Sequence, residues 1–384
     1  AQAMLVQPFW GDYLAWEACF GVMDTKAYDA APEAGAADAP SAEPLDASAA
    51  DCAASSSSGL VPGGRRSRTW TLTRAVSGLG AVSGLDVVRF GVHSIQNTRP
   101  EMEDAHIAVL GSSSSCDRNE NKESAALLEA EKALGNCSYF AVFDGHEGAR
   151  AAEYSSEHLC TLLAADREGL IEDPAKALRR AFAQTEEDWL ALARAEEMFD
   201  GTTAAVVLVN RALKYCVVGN VGDSEVLLCT QDDVGKTGYQ VLTEVHHVKR
   251  NEKEAERITA VGGRVWKGRL GHPKINPQCV SLAISRAIGD LFFKDDQHTG
   301  GKASGLTAEP YIDTVQVCGE NVSEQCLLIG CDGFWDTVTY KEAADFVFER
   351  LKMSEDPRAI SEALVRLACD GGSSDNITVM VVVL

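Results

Sequence analysis

The sequence is short of positive charge. Its 384 residues include 35 Lys and Arg against 57 Asp and Glu, which gives a formal net charge of −22. A surface with this balance repels the phosphate backbone of nucleic acids and anionic lipid headgroups. We therefore expect a protein that does not bind nucleic acid. The hydrophobic fraction of 45% and the charged fraction of 24% are typical of a folded globular chain.

Three further patterns are missing. None of the 12 cysteines belongs to a CxxC pair, which argues against structural zinc. No apolar run approaches the ~18 residues of a transmembrane helix, and the N-terminus has no basic-then-apolar signal pattern. No GxSxG motif offers a serine nucleophile. Because cysteines such as Cys216 and Cys331 lie in apolar runs, we predict an intracellular protein with reduced thiols, cytoplasmic and/or nuclear.

The first 80 residues differ in composition from the rest. Residues 1–30 carry aromatic side chains, among them Phe9, Trp10 and Trp16, at a spacing that predicts a short helix. That helix would either dock on the main domain or bind a partner. Residues 31–80 are rich in Ala, Ser, Pro and Gly and have too few large apolar side chains to offset the entropy of ordering. We predict that they form a flexible linker.

Residues 81–384 are predicted to form the main domain, with both strands and helices. Short turns between strands favour an α+β fold in which antiparallel sheets are flanked by helices. Residues 111–136 are predicted to be a polar, partly helical insertion. The predicted strands are 87–93, 104–110, 138–143, 204–209, 213–218, 225–230, 326–331 and 377–384, and the predicted helices are 149–165, 174–198, 341–352 and 357–369.

Acidic residues fall at the ends of the predicted strands. A single Asp-Gly pair is more often only a turn, because Asp bonds its own backbone and Gly accepts a positive φ. Carboxylates that gather at one edge of a sheet repel one another unless a cation neutralises them. We therefore predict a cation site from the whole set, which is Glu103, Asp104, Asp144, Asp223, Asp332 and Asp375.

The residue types in this set indicate phosphoryl chemistry. Carboxylate oxygens without accompanying Cys or His select Mg²⁺ or Mn²⁺. Two such ions about 4 Å apart can bridge a water and lower its pKa towards neutrality. Arg99, four residues before Glu103, could bind phosphoryl oxygens with its planar fork. His146, two residues after Asp144, could give a proton to a leaving group.

At these residues the chain resembles the metal-dependent serine/threonine protein phosphatases of type 2C. The resemblance implies a β-sandwich of two antiparallel sheets with a helix pair on each outer face and a catalytic cleft at one end. Residues 81–384 would then be a phosphatase catalytic domain. The matching motifs occur in the family's order and are RPEMEDAH at 99–106, FDGH at 143–146, DGTTA at 200–204, NVGDS at 220–224, SRAIGD at 285–290, CDGFWD at 331–336 and SDNIT at 374–378.

The resemblance implies how two metal ions would be held. Asp144 would bridge both ions. Asp332 and Asp375 would complete the binding of one, and Glu103 with the Gly145 carbonyl would complete the other. The cofactors would be two Mg²⁺ or Mn²⁺ ions, and the water that bridges them would attack phosphoserine or phosphothreonine in a phosphoprotein substrate.

The resemblance also implies roles for the residues around the two ions. Asp104 would support the ligands from outside the coordination sphere of the ions, whereas Asp223 and Asp336 match positions of a weaker third metal. Arg99 would bind the substrate phosphate, and His146 would be the general acid. Residues from about 250 to 285 would form a variable flap beside the cleft that contributes to substrate choice. The chain is expected to act as a monomer.

Two other functions fit the same fold. An inactive relative that binds phosphoproteins or a partner would lack a metal-binding aspartate, whereas every such position is acidic here. A phosphatase of small phosphate esters would differ in the substrate that it turns over.

Two stretches depart from the family pattern. Glu225 stands where an Arg is common, and residues 244–250 lack the family's usual Asp-His-Lys-Pro sequence. We expect His247 to occupy the family's histidine position and His246 to lie on the surface or to be hydrogen-bonded.

Overall fold

The computed structural model describes residues 88–111, 125–317 and 322–384. The predicted N-terminal segment (1–30) and the predicted linker (31–80) lie outside these residues, as do residues 112–124 of the predicted insertion. The later part of the insertion forms the helix α1 (Ala125–Leu134), in which Ala130 and Leu134 are buried. This part of the insertion therefore contributes to the core.

Strands and helices alternate in blocks along the chain. The strands are β1 (Arg89–Ile95), β2 (Ala105–Val109), β3 (Cys137–Phe143), β4 (Gly145–His146), β5 (Gly201–Thr202), β6 (Ala204–Asn210), β7 (Tyr215–Val221), β8 (Glu225–Asp232), β9 (Thr237–Val241), β10 (Arg264–Trp266), β11 (Arg269–Gly271), β12 (Ser281–Leu282), β13 (Ile288–Gly289), β14 (Tyr311–Gln316), β15 (Val322–Gly330) and β16 (Ile377–Val383). The helices after α1 are α2 (Arg150–Ala165), α3 (Arg167–Glu172), α4 (Pro174–Glu196), α5 (Glu252–Ala260), α6 (Leu291–Lys294), α7 (Asp296–Thr299), α8 (Asp332–Trp335), α9 (Tyr340–Lys352) and α10 (Pro357–Asp370).

Two five-stranded antiparallel sheets face each other. One has the strand order β1-β16-β15-β8-β9, and the other has the order β14-β7-β6-β3-β2. Two small three-stranded sheets, β10-β11-β12 and β13-β5-β4, accompany them. The α2 and α4 helices pack on the sheet that contains β3, and α9 and α10 pack on the sheet that contains β16. The predicted α+β sandwich with helices on both outer faces is confirmed.

The central strands read as continuous apolar runs because both of their faces are covered. Every residue of β3 is buried. Phe140 and Val142 point into the core between the two sheets, whereas Tyr139, Ala141 and Phe143 point towards α2 and α4. Side chains alternate between the two faces of a strand, and the same run of residues thus supplies two different cores.

The helices α4 and α10 begin at residues suited to that position. Asp173 accepts a hydrogen bond from the backbone N–H of Lys176, and Pro174 occupies the first turn of α4. Asp356 and Pro357 repeat this arrangement at the start of α10. An acidic N-cap satisfies a free backbone donor, and proline costs nothing there because its position has no intrahelical N–H bond to lose. Among the described helices, none is long and apolar enough to cross a bilayer.

Candidate active site

Several strand ends meet at one end of the sandwich. The start of β2 lies opposite the end of β3, and the start of β6 lies opposite the end of β7. In the other sheet, the end of β15 lies beside the starts of β8 and β16. Because antiparallel neighbours run in opposite directions, the end of one strand adjoins the start of the next. Acidic residues placed at these ends therefore converge.

Asp144 and Asp332 lie in the middle of this convergence. Asp144 follows β3, and its backbone N–H donates to Thr203 Oγ1 over 3.1 Å. Asp332 is the first residue of α8, directly after β15 and Cys331. The two carboxyl groups hydrogen-bond to each other. Burial and the charges of neighbouring carboxylates raise the pKa of Asp144 well above its ordinary value and also raise the pKa of Asp332.

Asp104 and Asp223 are the most buried carboxylates of the group, with exposed fractions of 5% and 4%. Burial, with a contribution from the charge of Asp332, raises the pKa of each to about 7. Thr378 Oγ1 donates to Asp104 Oδ2 over 2.7 Å. The other oxygen, Asp104 Oδ1, is buried and has no hydrogen-bond partner among the described residues.

The thiol of Cys331 lies among these carboxylates. Its Sγ and one oxygen each from Asp104 and Asp144 all lie within 4.8 Å of one another. Burial raises the pKa of the Cys331 thiol well above its ordinary value, and the nearby carboxylates raise it further. In the metal-free protein the thiol therefore stays protonated at neutral pH. The prediction of carboxylates without an accompanying Cys needs correction, because Cys331 lies beside Asp104 and Asp144.

This cluster fits a divalent cation. A buried carboxylate oxygen without a partner, and several buried carboxylates with raised pKa values, are the features of a site whose negative charge is not neutralised by the protein. Oxygen donors suit Mg²⁺ or Mn²⁺. We name the group formed by Asp104, Asp144, Asp223 and Asp332 the acidic centre.

Two arginines lie at the rim of the acidic centre. Arg99 Nη2 is 2.6 Å from Asp375 Oδ2, and Arg250 Nη2 is 2.6 Å from Asp336 Oδ1. The side chains in both pairs are partly exposed, with Arg99 at 50%. The hydrogen bond to Asp375 raises the pKa of Arg99, so this side chain is charged at any physiological pH.

The side-chain amide of Asn376 fixes the loop that carries Arg99 and Glu103. Asn376 Oδ1 accepts from the Glu103 backbone N–H over 2.8 Å, and its Nδ2 donates to the carbonyls of Gln96 and Glu101. Glu103 Oε1 in turn accepts from the Gly148 backbone N–H over 2.7 Å. The β1–β2 loop is therefore tied to the start of β16 and to the loop after β4.

His146 faces a buried aspartate. His146 Nε2 is 2.8 Å from Asp290 Oδ1, and Asp290 is 2% exposed. A Cβ at Gly201 would lie 2.4 Å from Asp290 Oδ2 and 2.6 Å from His146 Nε2, so this approach requires a glycine. Burial lowers the pKa of His146, but the charge of Asp290 and the hydrogen bond to it offset this, and the pKa is raised overall.

A sequence model of one family matches most of the chain that carries this site. The model describes protein phosphatase 2C, and it matches residues 88–377. The chain belongs to the protein phosphatase 2C family. The family predicted from the sequence motifs is thereby confirmed.

Curated members of the phosphatase 2C family share the same part of the chain. Protein phosphatase 1F of Rattus norvegicus is 36% identical over 300 residues, which cover 76% of this chain and 57% of the relative. Protein phosphatase 1A of Homo sapiens is 30% identical over 304 residues, covering 77% of this chain and 70% of the relative. The chain thus spans little more than half the length of its phosphatase 1F relatives.

Solved structures support the family fold. The structure described as serine-threonine phosphatase 2C from Toxoplasma gondii has a TM-score of 0.58 at 18% identity and covers 77% of this chain and 94% of its own. A C. elegans sex determining protein has a TM-score of 0.60 at 21% identity, covering 78% and 65%. At these identities the likeness concerns the fold alone.

The structure brings together most of the residues that the phosphatase 2C motifs predict. Asp336 and Asp375 act on the pKa of Asp332 and so adjoin the acidic centre. Glu103 instead accepts a hydrogen bond from the Gly148 N–H. Its pKa is affected by the charges of His146 and Arg99. Gly145 packs against the Glu103 backbone, and a Cβ there would lie 2.4 Å from the Glu103 carbonyl oxygen. Glycine is therefore needed at this close approach.

Sequence reasoning missed two residues of the site and misplaced one. Asp290 and Cys331 each lie inside a matched phosphatase 2C motif, and polar residues of that motif at a buried strand end were the available signal for both. The prediction for His246 is wrong. His246 is fully buried, and neither ring nitrogen has a partner among the described residues. Burial lowers its pKa to about 3, so it is neutral.

Proposed function

We propose that this chain is a metal-dependent phosphatase that hydrolyses phosphoserine and phosphothreonine in proteins. The observation that carries the proposal is the acidic centre, whose pKa values are raised even with Arg99 and Arg250 at its rim. Divalent cations would relieve that excess of negative charge. Relatives named protein phosphatase 1F and protein phosphatase 1A point to the same activity.

Under this proposal, residues of the acidic centre and its rim would hold two Mg²⁺ or Mn²⁺ ions. Asp144 would bind both ions, Asp332 and Asp375 would be further ligands of one, and Glu103 with the Gly145 carbonyl would be further ligands of the other. When bound, the ions supply an activated water nucleophile and positive charge for the phosphoryl oxygens.

Other acidic residues support this arrangement. Asp104 accepts a hydrogen bond from Thr378 and would support the ligands from outside the coordination sphere of the ions. Asp223 and Asp336 could hold a weaker third ion. Arg250 already pairs with Asp336, so an ion there must displace this guanidinium or share the carboxylate with it.

Arg99 is placed to bind the substrate phosphate. One terminal nitrogen donates to Asp375, which leaves other N–H groups of the planar guanidinium for phosphoryl oxygens. The side chain is half exposed, so a substrate can reach it. The contact with Asp375 also orients the guanidinium beside a proposed metal ligand.

His146 is placed to protonate the leaving group. Because Nε2 bonds Asp290, Nδ1 is the ring nitrogen that can donate a proton to the departing serine or threonine oxygen. Asp290 fixes the orientation of the ring, and its charge favours the protonated imidazole that a general acid needs.

Metal removal tests the proposal on the purified chain. The protein is stripped with chelator, its metal content is checked by elemental analysis, and turnover is measured with and without added Mg²⁺ or Mn²⁺. The substrates are a phosphothreonine peptide, a phosphoserine peptide and a sugar phosphate. We expect hydrolysis of both peptides with added metal and background rates without it.

Three results would contradict parts of this proposal. Full activity in metal-free protein would reject the metal role. Preferred turnover of the sugar phosphate would indicate a phosphatase of small esters. Peptide binding without hydrolysis in the metal-loaded protein would indicate an inactive relative that acts as a binding protein.

We further propose that residues 81–384 are the catalytic domain and that the protein works inside the cell as a monomer. The matched region begins at residue 88. Six of the eight cysteines in the described residues are buried, as expected for thiols that stay reduced. Size-exclusion chromatography with light scattering tests the monomer.

A further inference from the structure

The flap and the residue before it carry a charge opposite to that of the whole chain. The chain has a net charge of −22. Residues 249–274 contain eight Lys and Arg against three Glu, which gives a net charge of +5. The basic residues are Lys249, Arg250, Lys253, Arg257, Arg264, Lys267, Arg269 and Lys274. Cations are thus concentrated in one segment of an acidic protein.

Most of these cations form no ion pair among the described residues. Arg257 binds the buried carboxylate of Glu254, and Arg250 pairs with Asp336. The other six are exposed and have no carboxylate within ion-pair distance among the described residues. Exposed cations that make no internal ion pair keep their charge available for a ligand.

Three of the exposed cations lie together at the end of the flap that adjoins the acidic centre. A Cβ at Gly268, in the turn between β10 and β11, would lie 2.8 Å from the Lys249 Cβ. Lys267 and Arg269 directly precede and follow Gly268 in the chain, so Lys249, Lys267 and Arg269 are neighbours. We call Lys249, Lys267 and Arg269 the basic tip.

The basic tip is joined to the rim of the acidic centre. Lys249 directly precedes Arg250, whose guanidinium is 2.6 Å from Asp336. Arg269 donates to Ser281 Oγ and to the Ser281 carbonyl, which holds it against β12. His247 pairs with Ile284 beyond β12, and its pKa responds to the charges of both Arg250 and Arg269. Lys249 of the basic tip is therefore linked through Arg250 to Asp336, a proposed metal ligand.

The surface of the tip also suits a polypeptide. Lys267 Nζ lies 4.7 Å from the centroid of the Trp266 ring, and Val265 is 39% exposed. An aromatic ring, an aliphatic side chain and unpaired cations together offer apolar contact and charge to an extended acidic segment.

We propose that the basic tip binds acidic residues on either side of the phosphorylated serine or threonine and so makes the enzyme selective for acidic phosphoprotein segments. This inference rests on the proposed phosphatase function. An acidic segment is repelled by the rest of the chain, whose net charge is strongly negative. The cations of the flap would instead attract an acidic segment next to the site.

A pair of phosphothreonine peptides tests the inference. The two have the same length, with Glu on both flanks in one and Gln in the other. For the full chain with Mn²⁺ at low salt, we expect kcat/KM to be about tenfold higher for the Glu peptide, since several exposed charge pairs act together. The ratio should shrink in 0.5 M salt, where the screening length is about 4 Å.

Charge reversal locates the effect. The double variant Lys267→Glu/Arg269→Glu should bring the ratio to about one or below. Lys267→Arg should retain the preference, because it keeps the charge. The single variant Lys267→Glu should lower the ratio in part, and Lys352→Glu is its matched control: Lys352 lies next to the β8–β9 turn, at the end of β8 opposite to Glu225, and the substitution makes the same charge change as Lys267→Glu. Lys352→Glu should leave the ratio unchanged.

Binding measured separately keeps this inference distinct from the proposed function. Fluorescence anisotropy gives the affinity of the same two peptides for each variant, whether or not hydrolysis occurs. If neither peptide is hydrolysed, the phosphatase proposal fails, while tighter binding of the Glu peptide that is lost in the double variant still supports the tip. Equal affinity and equal kcat/KM for both peptides would overturn the inference, as would an equal loss in Lys352→Glu.

Discussion

The carboxylates of the acidic centre are attached to the ends of long strands, whereas the flap beside them is built from short elements. β3 and β16 have seven residues each and are buried along almost their whole length. The flap has one nine-residue helix, α5, and strands of two or three residues. The first region has its positions set by two large cores. The second has a small core of its own around Val248, Ile258 and Leu270.

The two regions also handle charge in opposite ways. The acidic centre holds buried carboxylates without enough cations, and their pKa values are raised. The flap has one buried carboxylate, Glu254, with two cations: Arg257 and Arg286 both bind it, and Ser285 Oγ donates to it over 2.6 Å. Those hydrogen bonds outweigh the effect of burial and hold the pKa of Glu254 well below its usual value. A neutralised charge stabilises a fold, and an excess of like charge is suited to binding an ion.

Asp144→Asn should have the largest effect, because this carboxylate touches the most neighbours in the acidic centre. We expect hydrolysis to fall by at least ~10³-fold, the equivalent of several kcal/mol of metal-derived stabilisation. Titration calorimetry with Mn²⁺ should show fewer or weaker sites. The matched control is Asp233→Asn, at an exposed aspartate in the β8–β9 turn. A variant of Asp144 that keeps both metal affinity and rate would remove it from the bridging role.

His146→Gln should give the next largest effect, and the effect should depend on the leaving group. A positioned general acid contributes roughly 10²–10⁴-fold, so that loss is expected on a phosphothreonine peptide. Nitrophenolate leaves well without a proton, so nitrophenyl phosphate should lose far less. Asp290→Asn should show the same pattern in weaker form, because Asp290 orients the ring. Equal losses on both substrates would assign His146 to metal binding or packing instead.

The acidic centre could be predicted from the sequence far better than the flap. Strands such as β3 and β16 are continuous apolar runs, and the acidic residues at their ends are visible in the chain. The edge strands β9 and β14, TGYQV and YIDTVQ, were missed because they are largely exposed and mix polar with apolar residues. The helix α5 was missed as well, since five of its nine residues are charged.

Contacts between residues far apart in sequence were beyond sequence reasoning. Glu254 and Arg286 meet across 32 positions, and His146 and Asp290 meet across 144. No local pattern marks such a pair. His246 shows the same limit, because the mixed polar and apolar residues around it in sequence do not indicate that its side chain is fully buried.

Arg99→Ala tests the rim between the two regions and should have a moderate effect. Arg99 contacts phosphoryl oxygens in the bound substrate as well as in the transition state under our proposal, and uniform binding of this kind appears in KM. We expect KM for a phosphopeptide to rise about tenfold, the cost of one charge-assisted hydrogen bond. Inhibition by free phosphate should weaken in parallel. Unchanged KM and phosphate inhibition would make Arg99 a partner of Asp375 only.

The last expected effect is on stability rather than on turnover, and it separates the two regions by pH. Asp104 and Asp223 have pKa values of about 7 in the folded protein, above the ordinary 3.8. The folded state therefore holds more protons than the unfolded state between about pH 4 and 7, and stability falls as the pH rises through that window. The pKa of Glu254 is lowered, so its contribution is complete above about pH 4.5 and is lost only in stronger acid.

Metal-free protein should thus be more stable at pH 5.5 than at pH 8, by a free energy of unfolding on the order of 4 kcal/mol for the two groups together. Mn²⁺ should remove this slope, because the ion stabilises the charged carboxylates. Asp223→Asn should reduce the slope in metal-free protein, since the amide does not titrate. Glu254→Gln should instead lower stability by a similar amount at both pH values, because it leaves the partly buried cations of Arg257 and Arg286 without their charged partner. Denaturant unfolding at the two pH values, with chelator or with Mn²⁺, measures the free energy of unfolding of each variant. A slope that persists unchanged in both Asp223→Asn and Mn²⁺-loaded protein would show that the acidic centre is not its source.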